Sequence, residues 1–187
     1  MNLAEKKETH GIVIDILMKG HPEDPRPIFK REPLVQAVGI TQFKLLELIP
    51  KKIEIRLHED LYIGDGEREK IERVKRRIHY RDLTPTARIE LPFVIEKIVR
   101  EREPEYVSFF NRAISVTPKL HMLHLLPGIG KKLMWEILGE REKKPFENFS
   151  DISHRIKAIP HPERMIINRV LEEIQDPDVK YHLFTSR

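Results

Sequence analysis

The stretch Leu126-Pro127-Gly128-Ile129-Gly130 leaves the backbone few paths. Pro127 lacks an N–H and clashes with the preceding turn, so a helix cannot run through it. Gly128 and Gly130 supply backbone shapes that a Cβ obstructs, and they let another backbone come close. Beyond them Leu133, Met134, Ile137 and Leu138 fall at helical spacing on one face. The segment from Leu123 to Leu138 therefore reads as helix, tight turn, helix. Free N–H groups at the start of the second helix form a cradle for phosphate, and the helix dipole adds to the pull. Lys131 and Lys132 stand at its mouth. The plainer alternative is a Pro-Gly turn that only joins two packed helices.

Apolar, Pro, Gly, apolar, Gly, two bases and an apolar helix together resemble the helix-hairpin-helix motif, which binds nucleic-acid backbones. Composition alone does not carry that reading. The 187 residues hold 34 Lys and Arg against 30 Asp and Glu, a mild excess. With no cysteine, disulfides, zinc ribbons, iron–sulfur clusters and thiol catalysis are excluded. Nine histidines are scattered; His121 and His124 lie one helical turn apart without a third ligand, so no metal site and no cofactor is expected. The charged start and the absence of a long apolar run lead us to expect a soluble, cytoplasmic protein with no membrane partner.

The first half is rich in strand signals. His10–Met18, Pro33–Val38, Thr41–Ile49, Leu61–Ile63 and Lys70–Tyr80 are candidates, although Leu45 to Ile49 has helical propensity as well. Three prolines between Gly20 and Pro27 make an extended loop. Five short strands with Gly-marked turns predict a small closed β-barrel. Its last strand is the most basic stretch: Arg68, Lys70, Arg73, Lys75, Arg76, Arg77 and Arg81 stand against Glu69 and Glu72. Such a strand can follow a phosphate backbone, or its charges can merely guard a sheet edge. Tyr62 and Tyr80 are candidates for stacking on bases, with packing as the alternative. Gly64-Asp65-Gly66 lacks the Lys-Ser/Thr of a phosphate-binding loop.

From Leu83 the period becomes helical. Thr84-Pro85 predicts an N-cap followed by proline at the first helical position, and Pro92 a kink or restart. Glu103-Pro104 begins another helix, and Thr117-Pro118 is expected to open the helix leading into the hairpin. Near the end, Ile159-Pro160-His161-Pro162 matches Leu126-Pro127-Gly128-Ile129. Ile166, Ile167, Val170 and Leu171 match Leu133, Met134, Ile137 and Leu138. This second copy lacks both glycines and reads as structural. Phe146 to Ile152 is the connecting helix entry, and Arg164 and Arg169 are additional or merely solvated charges.

Tyr62-Ile63-Gly64-Asp65-Gly66-Glu67-Arg68 together with Leu126-Pro127-Gly128-Ile129-Gly130 resembles an archaeal family of unknown function described as RNA-binding. The resemblance implies an α+β fold of two domains: an OB-like β-barrel over 1–82 and an all-α paired helix-hairpin-helix domain over 83–187. The first hairpin is expected at 120–139 and a degenerate second at 152–174. It further implies a non-catalytic protein that binds RNA in preference to DNA, in translation or ribosome assembly. The candidate contacts are Gly128, Ile129, Gly130, Lys131, Lys132, Arg68, Lys70, Arg73, Lys75, Arg76, Arg77, Tyr62 and Tyr80. One alternative is a DNA-binding or repair enzyme, for which Asp151 has roughly the spacing of a glycosylase's catalytic acid. Another is a protein–protein adaptor, favoured if Trp135, Phe109 and Phe110 are exposed while the basic strand is buried or paired with acids.

Overall fold

The computed structural model describes residues 7–52 and 54–186. The chain divides into two compact units, one of residues to Val94 with those from Phe184 and one of Ile95–Leu183. The division thus lies beyond the expected 82/83 boundary, inside a helix, and the C-terminal residues return to the first unit.

The first unit is built on β1 (His10–Leu17), β2 (Leu34–Gly39), β3 (Leu45–Pro50), β4 (Asp60–Tyr62) and β5 (Ile71–Ile78). They form one sheet in the order β4-β1-β2-β3-β5, with every described pairing antiparallel. The helical alternative for Leu45–Ile49 loses to cross-strand pairing with both neighbours. The expected closed barrel is corrected to a curled, open half-barrel. Strand β4 has only three residues and pairs with β1 alone, so among the described residues it never reaches β5 to close the ring. One face buries Val13, Val35, Ala37, Leu46, Leu48, Leu61, Ile63 and Ile71.

Strands β2 and β3 are buried along their whole length, polar residues included. Gln36 is satisfied by two backbone groups: its amide donates to the Asp82 carbonyl at 3.1 Å and its oxygen accepts from Thr84 N–H at 3.0 Å. Opposite it in register lies Glu47, whose side chain is 2% exposed and whose carboxylate takes a 2.8 Å bond from Arg76 Nε. That bond raises the pKa of Arg76. Lys75 is bulged out between two registered pairs, Glu47 with Arg76 and Leu48 with Val74.

Thr84 caps α1 (Pro85–Glu101), its hydroxyl accepting from Ala87 N–H at 3.1 Å and donating to Asp15. The expected restart at Pro92 does not occur, and the helix runs through it. Leu91, Val94, Ile95, Ile98 and Val99 are buried along this helix, and that burial offsets the missing bond.

The second unit contains α2 (Glu103–Arg112), β6 (Ser115–Thr117), β7 (Leu120–His121), a 3₁₀ turn at Met122–Leu125, α3 (Lys131–Lys143), α4 (Phe149–Arg155) and α5 (Pro162–Gln175). It is therefore not all-α, and Thr117-Pro118 opens no helix. The β-branched run Ile114–Thr117 favours extended backbone, and a residue before proline is held there, so β6 and β7 pair instead. Arg141 fastens the chain before this hairpin, donating to the carbonyls of Phe110 at 3.0 Å and Ala113 at 2.9 Å. Arg155 does the same for the α3–α4 link: it stacks 4.5 Å over Phe146, pairs with Asp151 at 3.2 Å and donates to Lys144 O at 2.9 Å.

Removing Arg76 leaves the buried Glu47 carboxylate without its cation. Arg76→Ala should therefore lower unfolding free energy by about 1–3 kcal/mol in urea titration, a cost that an idle edge cation would not show.

Candidate nucleic-acid interface

The turn before α3 is set by a hydrogen bond from Ile129 N–H to the Leu126 carbonyl at 3.3 Å. Leu126 and Ile129 point inward, 1% and 5% exposed, and Gly128 between them has φ +87°. An L-residue is strained there although space exists, the nearest atom to an added Cβ being Met165 Cε at 3.7 Å. Gly130 is different. Its φ of −84° and ψ of 178° suit any residue, and a Cβ on it would meet nothing within 4 Å. The fold asks for glycine at 128 and is indifferent at 130. What precedes the turn is the 3₁₀ segment rather than the expected α-helix. His121 accepts from Leu123 N–H at 3.1 Å and His124 accepts from His121 N–H at 3.4 Å, a reciprocal cap that explains their spacing. Among the described residues no three His, Asp, Glu or Cys side chains gather as metal ligands.

Gly130 is the N-cap of α3, with no side-chain cap and no acidic residue in the first turn. Among the described residues, two of the other four α-helices carry a side-chain cap, and the remaining two have acidic residues in the first turn instead. Thr84 caps α1, Glu103 and Glu105 open α2, Asn148 caps α4 by accepting from Asp151 N–H, and Glu163 opens α5. Lys131 and Lys132 are exposed, and among the described residues neither has an ion pair or hydrogen bond. Beside the turn lies a cleft of about 520 Å³ that Arg169 and Glu172 also line. Arg169 is not a solvated charge: it is 5% exposed, bonded to Glu173 and Glu172 at 2.9 Å and to the Tyr181 carbonyl.

The second copy of the turn sits at Ile156–Ile159, where Ile159 N–H bonds to the Ile156 carbonyl at 2.9 Å. The match to Ile159-Pro160-His161-Pro162 is thus corrected: Pro160-His161 separates this turn from α5 where Gly130 alone separates the first turn from α3, while Ile167 and Val170 are buried as Met134 and Ile137 are. Ala158 has no positive φ, and Glu163 already lies at the helix start, 3.8 Å from Arg100 and 3.4 Å from His161.

The basic strand belongs to the first unit and the hairpin residues to the second, and the strand's side chains are engaged within its own unit. Arg68 donates to the Gly64 carbonyl at 2.7 Å, and Lys70 pairs with Glu59 at 2.5 Å. Arg73 and Lys75 share Glu32 at 3.0 and 3.5 Å, Arg76 holds Glu47, and Arg77 donates to the Ser186 carbonyl at 2.7 Å. Tyr62 is 38% exposed but tied down: its hydroxyl accepts from Gly66 N–H at 3.0 Å, and a Cβ on Gly64 would lie 2.5 Å from that oxygen. The motif from Tyr62 to Arg68 is thus a loop wrapped on its own tyrosine. Tyr80 carries Arg88 at 5.4 Å over its ring. Asp151 is half-buried and bonded to Glu147 N–H and Arg155, at 3.1 and 3.2 Å. Of the three aromatic residues that decide the adaptor reading, Phe110 is buried, Phe109 half-buried and Trp135 60% exposed. No helix among the described residues is long and apolar enough to cross a membrane.

The chain thus combines an open half-barrel unit with a mixed unit that carries apolar turns before α3 and α5. The chain belongs to the family described as "Protein of unknown function (DUF655)", whose model matches residues 7–186. It is 44% identical over 187 residues to the uncharacterized protein MJ0038 of Methanocaldococcus jannaschii, covering 99% of this chain and 83% of the relative. It also resembles the crystal structure of Af1531 from Archaeoglobus fulgidus, described there as family-model DUF655. The TM-score is 0.88 at 49% identity, over 96% of this chain and all of that one. Both relatives are archaeal.

The two glycines separate in a stability measurement. Gly128→Ala should cost about 1–2 kcal/mol because of its left-handed φ, whereas Gly130→Ala should change the unfolding midpoint far less. A second expectation follows from His121, whose pKa is lowered by burial and then by Arg141 and His124. Its stabilising contribution is complete above the unfolded value near 6.5 and is lost as pH falls through it toward the folded pKa. Melting temperature should drop as pH falls below about 6.5, and His121→Asn, which keeps the cap acceptor, should flatten that drop.

Proposed function

We propose that this protein binds nucleic acid without performing chemistry on it. We read its half-barrel as OB-like, its α3 and α5 turns as a paired helix-hairpin-helix, and the turn before α3 as the phosphate contact. The observation that carries the reading is the open start of α3. Gly130 presents bare backbone, no side chain caps the helix, and Lys131 and Lys132 stand unpaired among the described residues. A phosphate there accepts from free N–H groups and meets two cations. The second turn lacks this chemistry, since Glu163 supplies its own negative charge. Because the cations of β5 are held by carboxylates and carbonyls, the hairpin, rather than the strand, is the anchor. Phosphate contacts are blind to the sugar. The preference for RNA, and a place in translation or ribosome assembly, therefore rest on the family resemblance.

One observation favours a protein partner instead: Trp135 is exposed and the basic strand is acid-paired. Phe110 is buried, however, and Phe109 half-buried, so the three aromatic residues do not form one exposed apolar patch.

Gly130→Asp separates the readings. An N-cap carboxylate fits this backbone and should raise stability by about 0.5–1 kcal/mol. It should also weaken binding to single-stranded RNA, duplex RNA and duplex DNA at least about tenfold by occupying the phosphate site. Replacing Lys131 and Lys132 by Ala should reduce the slope of log affinity against log salt by about 1–2. Undiminished affinity in the stabilised Asp variant, measured by anisotropy, would remove the α3 turn from the interface.

A further inference from the structure

We propose that Trp135 is a stacking platform for one unpaired base of a single strand whose phosphate sits at the start of α3; this rests on the reading above. Trp135 lies four residues after Lys131 and three after Lys132, so all three share the solvent side of α3. Its indole is 60% exposed and, among the described residues, has no aromatic or cationic partner. Helical side chains lean toward the N-terminus, which directs the ring back over the lysine turn rather than away from it.

The next turn on the same face holds Gly139, inside α3. An added Cβ there would meet nothing within 4 Å, so no packing explains a residue that weakens the helix interior. Gly130 and Gly139 flank the tryptophan in sequence, and packing requires a glycine at neither position. The charges around the tryptophan select the ligand. Lys131 and Lys132 attract phosphate at the N-terminal end, while exposed Glu136 and Glu142 repel a backbone laid along the helix. One phosphate and one base are therefore accommodated, and a duplex tracking α3 is not. A base inside a duplex offers no free face, whereas unpaired bases of single strands and loops do.

Trp135 is the sole tryptophan of the chain, so its intrinsic fluorescence reports on this position directly. The full-length protein is titrated with a labelled twelve-nucleotide oligoadenylate RNA and with a twelve-base-pair RNA duplex, recording emission and anisotropy together. The single strand should quench Trp135 and the duplex should not. Trp135→Ala should weaken single-strand affinity about 5- to 150-fold, the range expected for one base stacked on an aromatic side chain. Trp135→Phe should restore most of it, and neither change should alter duplex affinity. Single-strand binding that depends on Lys131 and Lys132 but leaves emission and the Trp135→Ala affinity unchanged overturns the stacking inference while the phosphate site stands. Equal quenching by the duplex overturns the requirement for an unpaired base. If neither RNA changes anisotropy at low salt, the nucleic-acid reading itself fails, and the exposed indole is then assigned to a protein partner.

Discussion

Carboxylates decide which cations of this protein remain available. Glu47 is buried on the interior strand β3, and Arg76 reaches its carboxylate from β5. Glu32 takes Arg73 and Lys75, Glu59 takes Lys70, and Glu173 with Glu172 takes Arg169. With 34 basic and 30 acidic residues, nearly balanced charge means that pairing, more than net charge, shapes where an anion is welcome. Lys131 and Lys132 stay unpaired among the described residues, at a helix start that has no acid of its own.

The same logic separates the two turns of the second unit. Both use an apolar residue on either side of a two-residue turn, and both bury the flanking residues: Leu126 and Ile129 in one, Ile156 and Ile159 in the other. One turn then opens directly into a helix with bare N–H groups. The other reaches its helix through Pro160-His161 and places Glu163 against the helix start, near Arg100 and His161. A shared scaffold thus presents one open anion site and one that is internally satisfied. The loop after β4 shows a related economy: Gly64 and Gly66 make room for Tyr62, and Arg68 closes the loop onto the Gly64 carbonyl.

Much was legible in the chain itself. Alternating and β-branched runs located all five strands of the sheet to within a few residues, because strand formation follows local side-chain pattern. Thr84-Pro85 and Glu103-Pro104 located the starts of α1 and α2, because caps and N-terminal prolines act within one helical turn. The need for glycine at 128 was legible from Pro-Gly turn chemistry. Errors arose where two local signals competed, as at Thr117-Pro118, which reads as a cap but lies in a β-branched run that pairs as β6.

What the sequence by itself determined was the order of elements, the apolar faces and the hairpin turn, all of which depend on neighbours a few residues apart. Only the tertiary structure decided that the sheet stays open, since closure depends on whether the short β4 can reach β5. Only it decided which charges are spent on internal pairs. Arg76 and Glu47 are far apart in sequence and adjacent in space, whereas Lys131 and Lys132 look no different from them in a list of residues. Likewise, helical spacing places Trp135 near a core face, and only the packing of α3 leaves its indole in solvent. Availability is a property of what surrounds a side chain, and that is set by contacts distant in sequence.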